Sequence, residues 1–191
     1  MKISKDYFLE LTIDCPVIPE VKNEEWLDAI KDSESKLVYI LYGDVCNIAD
    51  IVTRVHEMGK LAIVHIDLIE GLATKPICVE FIKKNVKADG IISTKPVMIQ
   101  RARDIGLFSI QRFFMMDGIT YSNISRYVKQ SDPDVVELMP AGLVKVIPYL
   151  VEIISRPVVA TGLIQDKGDI IGALNAGAVA VATTNRDLWD C

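Results

Sequence analysis

The chain has 191 residues, 50% of them hydrophobic and 25% charged, so it can bury a sizeable core and does not have the composition of a disordered chain. Its formal net charge of -5 excludes a large positive field that would collect nucleic acid non-specifically, and any RNA contact must therefore use a local patch. The cysteines Cys15, Cys46, Cys78 and Cys191 have no paired spacing, which argues against a zinc site and a disulfide scaffold.

The apolar runs, such as residues 37–42, are far shorter than the roughly 20 residues that a membrane helix needs. Residues 1–6 lack the apolar stretch of a signal peptide, so we expect a cytoplasmic protein with no membrane partner. No Ser/Gly-rich linker or low-complexity stretch interrupts the chain, which predicts a single domain over residues 1–191.

Eight near-continuous apolar runs of strand length follow one another along the chain. The predicted strands are residues 17–18, 37–41, 61–66, 90–93, 108–111, 135–139, 158–160 and 178–182. Between them lie stretches with helical spacing of apolar residues, the first predicted helix being residues 24–31 and the last residues 186–189. Strands buried on both faces that alternate with helices need a parallel sheet, either open and doubly wound or closed. Eight units favour closure, and we predict an α/β fold, a small (β/α)8 TIM barrel.

Polar residues recur where the apolar runs stop, and in a parallel barrel these positions share one rim. Asp67 and Glu70 could hold a hard cation or the hydroxyls of a polyol, with His65 as a donor or general base. Alternatively, Asp67 and Glu70 satisfy loop N–H groups while His65 packs inside the barrel. Lys95 could neutralise an anion or form a Schiff base. The other polar residues at strand ends are Ser93, Gln111, Arg112, Glu137 and Thr161.

The last two strand ends carry the pattern of a phosphate site. Gly162 follows the seventh strand, and Thr183, Thr184 and Asn185 follow the eighth at the head of the predicted last helix. Barrels commonly bind phosphate there, because glycine amides and a helix N-terminus supply N–H donors. Thr184 or Asn185 could instead serve only as the N-cap of that helix.

A small basic cluster lies near the end of another predicted helix, at Lys83, Lys84 and Lys87. Such a cluster is usually a solvated helix face and only sometimes a contact for a nucleic-acid backbone. Both readings stay open from the sequence.

Several segments, read in chain order, resemble the glycerol-3-phosphate-responsive antiterminator family, the glycerol uptake operon antiterminators. The resemblance covers most of the chain and extends to its opening, CPVIPEV (15–21). The chain has Thr161-Gly162 where the family usually has a glycine pair, and Ala141 separates Pro140 from Gly142. The main matching segments are HIDLIEGL (65–72), DGIISTK (89–95), GLFSIQRFFMMD (106–117), PDVVELMPAG (133–142) and ATGLIQDKGDIIGALNAGAVAVATTNRDLW (160–189).

The resemblance implies a small eightfold barrel that senses glycerol 3-phosphate and binds the leader mRNA of glycerol-utilisation genes, so that polymerase reads through a terminator. It implies no catalysis. We expect no cofactor and assign no metal-binding residues, and metal binding and homo-oligomer formation stay open. At the matching positions, the resemblance implies that Asp67 and Glu70 bind the glycerol hydroxyls. The remaining ligand candidates are Lys95, Gln111 and Arg112 in the rim, Glu137 on the sixth strand, and Gly162, Thr183 and Thr184 for the phosphate.

Two enzymatic alternatives remain open at this point. The first is a barrel enzyme acting on a phosphorylated three-carbon substrate, with Lys95 as the imine-forming residue or His65 and Glu70 as an acid–base pair. The second is a metal-dependent phosphodiesterase that uses Asp67, Glu70 and Glu137.

Overall fold

The structure is a computed structural model that describes residues 3–190. Its strands are β1 (Val17–Val21), β2 (Leu37–Ile40), β3 (Leu61–His65), β4 (Gly90–Ser93), β5 (Phe108–Phe114), β6 (Val135–Met139), β7 (Val158–Thr161) and β8 (Ala180–Thr183). Its helices are α1 (Lys5–Asp14), α2 (Glu24–Ala29), α3 (Ile48–Glu57), α4 (Pro76–Phe81), α5 (Pro96–Ile105), α6 (Gly118–Ser131), α7 (Ile147–Ile154) and α8 (Lys167–Asn175).

The eight strands form a closed parallel barrel. Each strand pairs in parallel with the next along the chain, and β1 pairs with β8 through Ile18 and Ala182. The predicted (β/α)8 barrel is therefore confirmed, and the open doubly wound sheet is excluded. All strand carboxyl ends share one rim, because parallel strands in a closed barrel run in the same direction.

Side chains alternate between the barrel interior and the helix layer, as the period of a strand requires. Apolar residues of the strands fill the interior in one buried cluster that includes Ile18, Ile63 and Ile110. The intervening residues, among them Val38 and Val64, pack under α3 and α4. The strands are near-continuous apolar runs because both of their faces are covered.

Helix α1, which precedes β1, was not predicted from the sequence. The side chain of Ser4 caps it by accepting a hydrogen bond from the backbone N–H of Tyr7 (3.1 Å). Phe8 is fully buried and stacks on Phe108 at the start of β5, with ring centroids 5.3 Å apart. Because Phe8 joins the interior cluster, α1 closes the amino end of the barrel.

The structure differs from the sequence-based expectation at several element ends, and three of them matter for the site. β1 extends to Val21, and β5 extends to Phe114, because their polar residues face the interior or a neighbouring helix and do not end the strand. The predicted last helix, residues 186–189, is only a 3-10 turn at Arg186–Leu188. It stops there because Trp189 turns back, and its indole N–H donates to the carbonyl of Thr183 (2.9 Å).

Within residues 3–190, no helix has both the length and the apolar character needed to cross a bilayer.

Replacing Phe8 by alanine should lower the free energy of unfolding by about 3–5 kcal/mol, because it opens a cavity at the closed end of the barrel. Urea unfolding followed by circular dichroism measures this change. Ile13→Ala on the same helix is the matched control, since Ile13 is 80% exposed and should lose almost nothing. Equal losses for the two variants would show that α1 does not seal the barrel.

Candidate functional site

A buried ion-pair cluster lies inside the barrel near the rim. Arg112 on β5 donates from Nη2 to Glu20 Oε1 (2.8 Å) and from Nε to Glu137 Oε2 (2.5 Å). The three side chains are at most 5% exposed. Each lies two residues beyond an apolar interior residue, as Glu20 does beyond Ile18, so alternation along the strands turns all three inward.

Four buried polar atoms around this cluster have no hydrogen-bond partner within the described residues. They are Tyr39 Oη, His65 Nδ1, Glu137 Oε1 and Thr161 Oγ1. We call the side chains of Glu20, Tyr39, His65, Arg112, Glu137 and Thr161 the interior polar layer. A buried polar group without a partner costs about 1–3 kcal/mol, so four of them in one layer are characteristic of a site built to receive a polar ligand.

The charge of the interior polar layer depends on one proton. Burial, and then the neighbouring Glu137, raise the pKa of Glu20 to about 7 despite the opposing effect of Arg112. Burial, and then Arg112, lower the pKa of His65 to about 4, so its imidazole is neutral near pH 7. One cation thus lies between two carboxyl groups, and the layer is neutral when Glu20 holds its proton.

The exposed part of the rim is organised by Asp67. Its carboxylate accepts hydrogen bonds from the Ser93 hydroxyl (2.7 Å) and from the backbone N–H (2.7 Å) and hydroxyl (2.8 Å) of Thr94. Asp67 therefore links the loop after β3 to the end of β4, as the alternative reading of this residue anticipated. Lys95 is exposed beside this link, and its backbone N–H donates to Ser93 Oγ (3.0 Å).

Glu70 lies on the same rim, in the loop after β3, with its side chain exposed. Its backbone N–H donates to the carbonyl of Gly43 (3.0 Å), and its carbonyl accepts from the N–H of Val45 (2.9 Å). These bonds pair the loops after β2 and β3, so Glu70 has a fixed backbone and a free carboxylate on the surface.

The loops after β7 and β8 lie together, as expected for the predicted phosphate site. The amide of Asn185 donates to the carbonyl of Gln165 (3.1 Å), which ties one loop to the other. Asn185 also caps the final 3-10 turn by accepting from the N–H of Asp187 (3.3 Å), and its own N–H donates to Thr183 Oγ1 (3.0 Å). The N-cap reading of Asn185 is confirmed, and Thr184 is half-buried beside it.

Gly162 begins the loop after β7 with a left-handed backbone (φ 77°). A Cβ at this position would lie 2.8 Å from Cε of Met139, so no other residue fits without displacing that side chain. The left-handed backbone together with the contact to Met139 favours glycine here whether or not an anion binds.

Gln111 does not lie where the sequence placed it. Its side chain is buried on the helix side of β5, and its oxygen accepts from the Ser131 hydroxyl of α6. The reason is strand alternation: Arg112 faces the interior, so its neighbour Gln111 must face outward. Gln111 therefore belongs to the packing of α6 on the barrel and does not join the interior polar layer.

Sequence reasoning missed Glu20 and Tyr39 as site residues and did not assign Thr161 a part. Glu20 lay beyond the predicted end of β1, and Tyr39 is hidden in an apolar run. Alternation could have found both, because Glu20 has the parity of Ile18, and the register pairs Glu20 with Tyr39.

The residues of the enzymatic alternatives are not assembled. No hydrogen bond joins His65 and Glu70 in the described chain, and Lys95 is exposed, with no desolvated pocket of the kind that imine formation needs. Over residues 3–190, Asp67, Glu70 and Glu137 do not form a group with the arrangement of a metal site.

The raised pKa of Glu20 predicts a specific contribution to the pH dependence of stability. Between about pH 4.5 and pH 7 the folded protein holds a proton on Glu20 that the unfolded chain releases, so the Glu20 contribution to the free energy of unfolding falls as pH rises. The lowered pKa of His65 contributes with the opposite sign between about pH 4 and pH 6.5, so the effect of Glu20 shows in the difference between the wild type and a Glu20 variant. The fall attributable to Glu20 is at most about 3–4 kcal/mol.

Glu20→Gln mimics the protonated residue and should lose the Glu20 contribution while that of His65 stays, so the free energy of unfolding of the variant should rise with pH relative to that of the wild type. Urea unfolding of the wild type and the variant across the window tests the effect. Parallel stability profiles would contradict it.

Comparison with known proteins assigns the chain to a family. A model of the family described as "Glycerol-3-phosphate responsive antiterminator" matches residues 17–189. "Uncharacterized protein YgcP" of Escherichia coli (strain K12) is 42% identical over 181 residues, which are 95% of this chain and 95% of that protein. The crystal structure of the glycerol uptake operon antiterminator regulatory protein from Listeria monocytogenes str. 4b F2365 is similar, with a TM-score of 0.89, 28% identity, and coverage of 92% of this chain and 95% of that chain.

The crystal structure of a glycerol uptake operon antiterminator-related protein from Thermotoga maritima MSB8 has a TM-score of 0.82 and 27% identity, and the match covers 91% of this chain and 96% of that chain. The strand ends, the interior polar layer and the loops after β7 and β8 thus all lie within the segment that the family model covers. The chain belongs to the glycerol-3-phosphate responsive antiterminator family.

Proposed function

We propose that this protein is a cytoplasmic, glycerol-3-phosphate-sensing antiterminator that binds the leader mRNA of glycerol-utilisation genes. The observation that carries the proposal is the interior polar layer, which offers unpartnered hydrogen-bonding atoms at the rim of a barrel of this family. The protein needs no cofactor or metal for this function, because the effector changes which conformation is populated and no bond is broken.

The glycerol hydroxyls fit the interior polar layer. A hydroxyl both donates and accepts, and the layer offers the carboxylate acceptor Glu137 Oε1 together with the hydroxyls of Tyr39 and Thr161. Arg112 keeps Glu137 oriented through the bond to its other oxygen. This placement uses Arg112 and Glu137 from the predicted ligand set and adds Tyr39 and Thr161.

The phosphate fits the loops after β7 and β8. Thr161 lies inside the barrel and Gly162 follows it directly, so a short ligand can reach from the interior polar layer to the loop. Thr183 and Thr184 lie on the neighbouring β8 end. Glu20 and Glu137 would repel a phosphate inside the barrel, whereas the loop offers backbone N–H groups at the rim.

The exposed rim residues complete the proposed site from the other side. Asp67 and Thr94 hold the end of β4 in place, and Lys95 next to them can reach toward an anion at the rim. Glu70 is available for an outer hydroxyl because its side chain is exposed.

The antiterminator function predicts linked binding of effector and RNA. The leader transcript of the glycerol-utilisation genes should bind more tightly with glycerol 3-phosphate than without it, and a tenfold difference corresponds to about 1.4 kcal/mol of coupling. Glycerol 3-phosphate should bind more tightly by the same factor when RNA is present. Filter binding measures the RNA affinity with and without effector, and calorimetry measures the effector affinity with and without RNA, both at one fixed salt concentration.

No RNA binding with or without effector would end the regulator proposal. Turnover of triose or glycerol phosphates would favour the enzymatic alternative in its place. So would borohydride trapping of a triose phosphate as an imine on Lys95.

Removing the unpartnered hydroxyls should separate stability from binding. Tyr39→Phe and Thr161→Val delete buried hydroxyls of the layer. The Tyr39 hydroxyl has no partner in the described chain, so effector-free Tyr39→Phe should unfold at the same or higher denaturant concentration, whereas the Thr161 hydroxyl lies close enough to Glu20 to lower the pKa of that carboxyl, so Thr161→Val should gain nothing. Both variants should bind glycerol 3-phosphate more weakly, by on the order of tenfold for each lost hydrogen bond.

Ser109→Ala is the matched control, because the Ser109 hydroxyl has a partner in Asp134 (3.1 Å) and lies away from the layer. It should lose stability and keep effector affinity. Unchanged affinity in Tyr39→Phe and Thr161→Val would show that the effector does not enter the barrel.

A further inference from the structure

The charges of this acidic chain are unevenly distributed. Residues 75–106 contain seven lysines and arginines and three acidic residues, a net charge of +4, within a chain of net charge -5. All other residues together therefore carry a net charge of -9. Because the chain as a whole is negative, it can attract a nucleic-acid backbone only through a local positive surface of this kind.

The fold gathers these basic residues on one side of the barrel. Lys75 and Lys95 precede α4 and the adjacent α5, Lys83 and Lys84 lie on the π-helical turn Ile82–Val86 that continues α4, Lys87 follows that turn, and the two arginines lie on α5. All are exposed except Arg101, which is half-buried. We call this surface the basic stripe, which consists of Lys75, Lys83, Lys84, Lys87, Lys95, Arg101 and Arg103.

The basic stripe runs from the rim to the opposite end of the barrel. Lys75 and Lys95 immediately precede α4 and α5 at the rim. Lys83 and Lys87 lie at the other end, where they line a groove of about 460 Å³ with His56 and Asp89. The groove lies between the end of the π-helical turn and the turn that precedes β5.

The lysines of the groove have no acidic partner. Lys83 donates to the carbonyl of Ile105, and neither Lys83 nor Lys87 forms an ion pair with any described residue. Asp89 in the groove is already engaged by His56 (2.8 Å) and by the backbone N–H of Ala62 (2.8 Å). The two lysines therefore form no ion pair within the described residues, and they outnumber the single carboxylate of the groove, that of Asp89.

The rest of the stripe is only partly neutralised. Lys84 and Arg101 share the single carboxylate of Glu80, at 2.9 Å and 2.6 Å. This arrangement holds the two basic side chains in place and leaves an excess of one positive charge. Arg103 is the member that is balanced by nearby carboxylates, those of Asp104 and Asp132.

We propose that the basic stripe is the surface that contacts the phosphate backbone of RNA, with Lys83 and Lys87 of the groove as its main anchors. The inference rests on the proposed antiterminator function and adds the location of the RNA on the molecule. Lysines make phosphate contacts of this kind, which give affinity and orientation without reading sequence.

The position of the stripe links it to the effector site. α5 begins directly after Thr94 and Lys95, which are held by Asp67. α4 begins after the loop that carries Asp67 and Glu70. A shift of this loop on effector binding moves the first turns of both helices, and each helix carries the shift to the stripe as a rigid element.

The test is a charge-matched pair of double variants. Lys83→Gln with Lys87→Asn removes the groove lysines, and asparagine tolerates the left-handed backbone at residue 87 (φ 61°). Lys31→Gln with Lys167→Gln removes the same charge from exposed residues outside the stripe. Both variants should bind glycerol 3-phosphate as the wild type does, which verifies their folding.

The groove variant should bind the leader transcript on the order of tenfold more weakly at fixed salt, and its dependence of log affinity on log salt should be shallower by about 1.4 for two lost phosphate contacts. The control should match the wild type. Equal losses of RNA affinity in both variants, or no loss in either, would overturn the basic stripe as the RNA surface. The proposed function would still stand in that case, provided that the wild type binds the RNA. Absence of wild-type RNA binding would overturn both.

A second measurement uses the wild type alone and keeps the proposal testable if the groove variant does not fold. Lysine acetylation followed by mass spectrometry should show Lys83 and Lys87 protected by the leader transcript, with Lys31 and Lys167 modified at unchanged rates. Equal rates at Lys83 and Lys87 with and without bound RNA would overturn the proposal.

Discussion

The paired contact of Arg112 with Glu20 and Glu137 is the constraint on which the interior of the site depends. Three ionisable groups inside a barrel carry a large desolvation cost, and only their mutual contacts offset it. Removing the cation would leave two buried carboxyl groups side by side, a change that typically costs about 3–5 kcal/mol. The rotamers of all three side chains are therefore fixed, and the second oxygen of Glu137 keeps one direction.

This arrangement also decides what kind of ligand group can enter. A single guanidinium between two carboxyl groups gives a site that is neutral or negative, depending on the proton of Glu20. Hydroxyl groups are compatible with both states, whereas an additional anion would have to displace a carboxylate from Arg112. Tyr39, His65 and Thr161 supply neutral polar atoms around the cluster, so the whole layer favours an uncharged, hydrogen-bonding ligand end.

The fold could be predicted from the sequence because every strand is an apolar run and every unit repeats the same order. The site could be predicted only where a polar residue marked a strand end, as at Asp67 and Glu137. Parity was not carried past the predicted end of β1, which is why Glu20 was missed, and it was not applied at the end of β5, where Gln111 faces the helix layer and Arg112 the interior. Helix α1 was missed because its partner Phe108 is distant in sequence, and the contact exists only once the barrel has closed.

The two ends of the barrel are held together by different kinds of contact. The amino end is filled by α1, with Phe8 against Phe108, and close-packed apolar contacts of this kind resist small displacements. The rim is held by polar contacts such as those of Asp67 with Ser93 and Thr94, which can be exchanged for contacts to a ligand. Contacts that a ligand can replace therefore lie among the loops and helix starts of the rim, whereas the opposite end of the barrel is held by apolar packing.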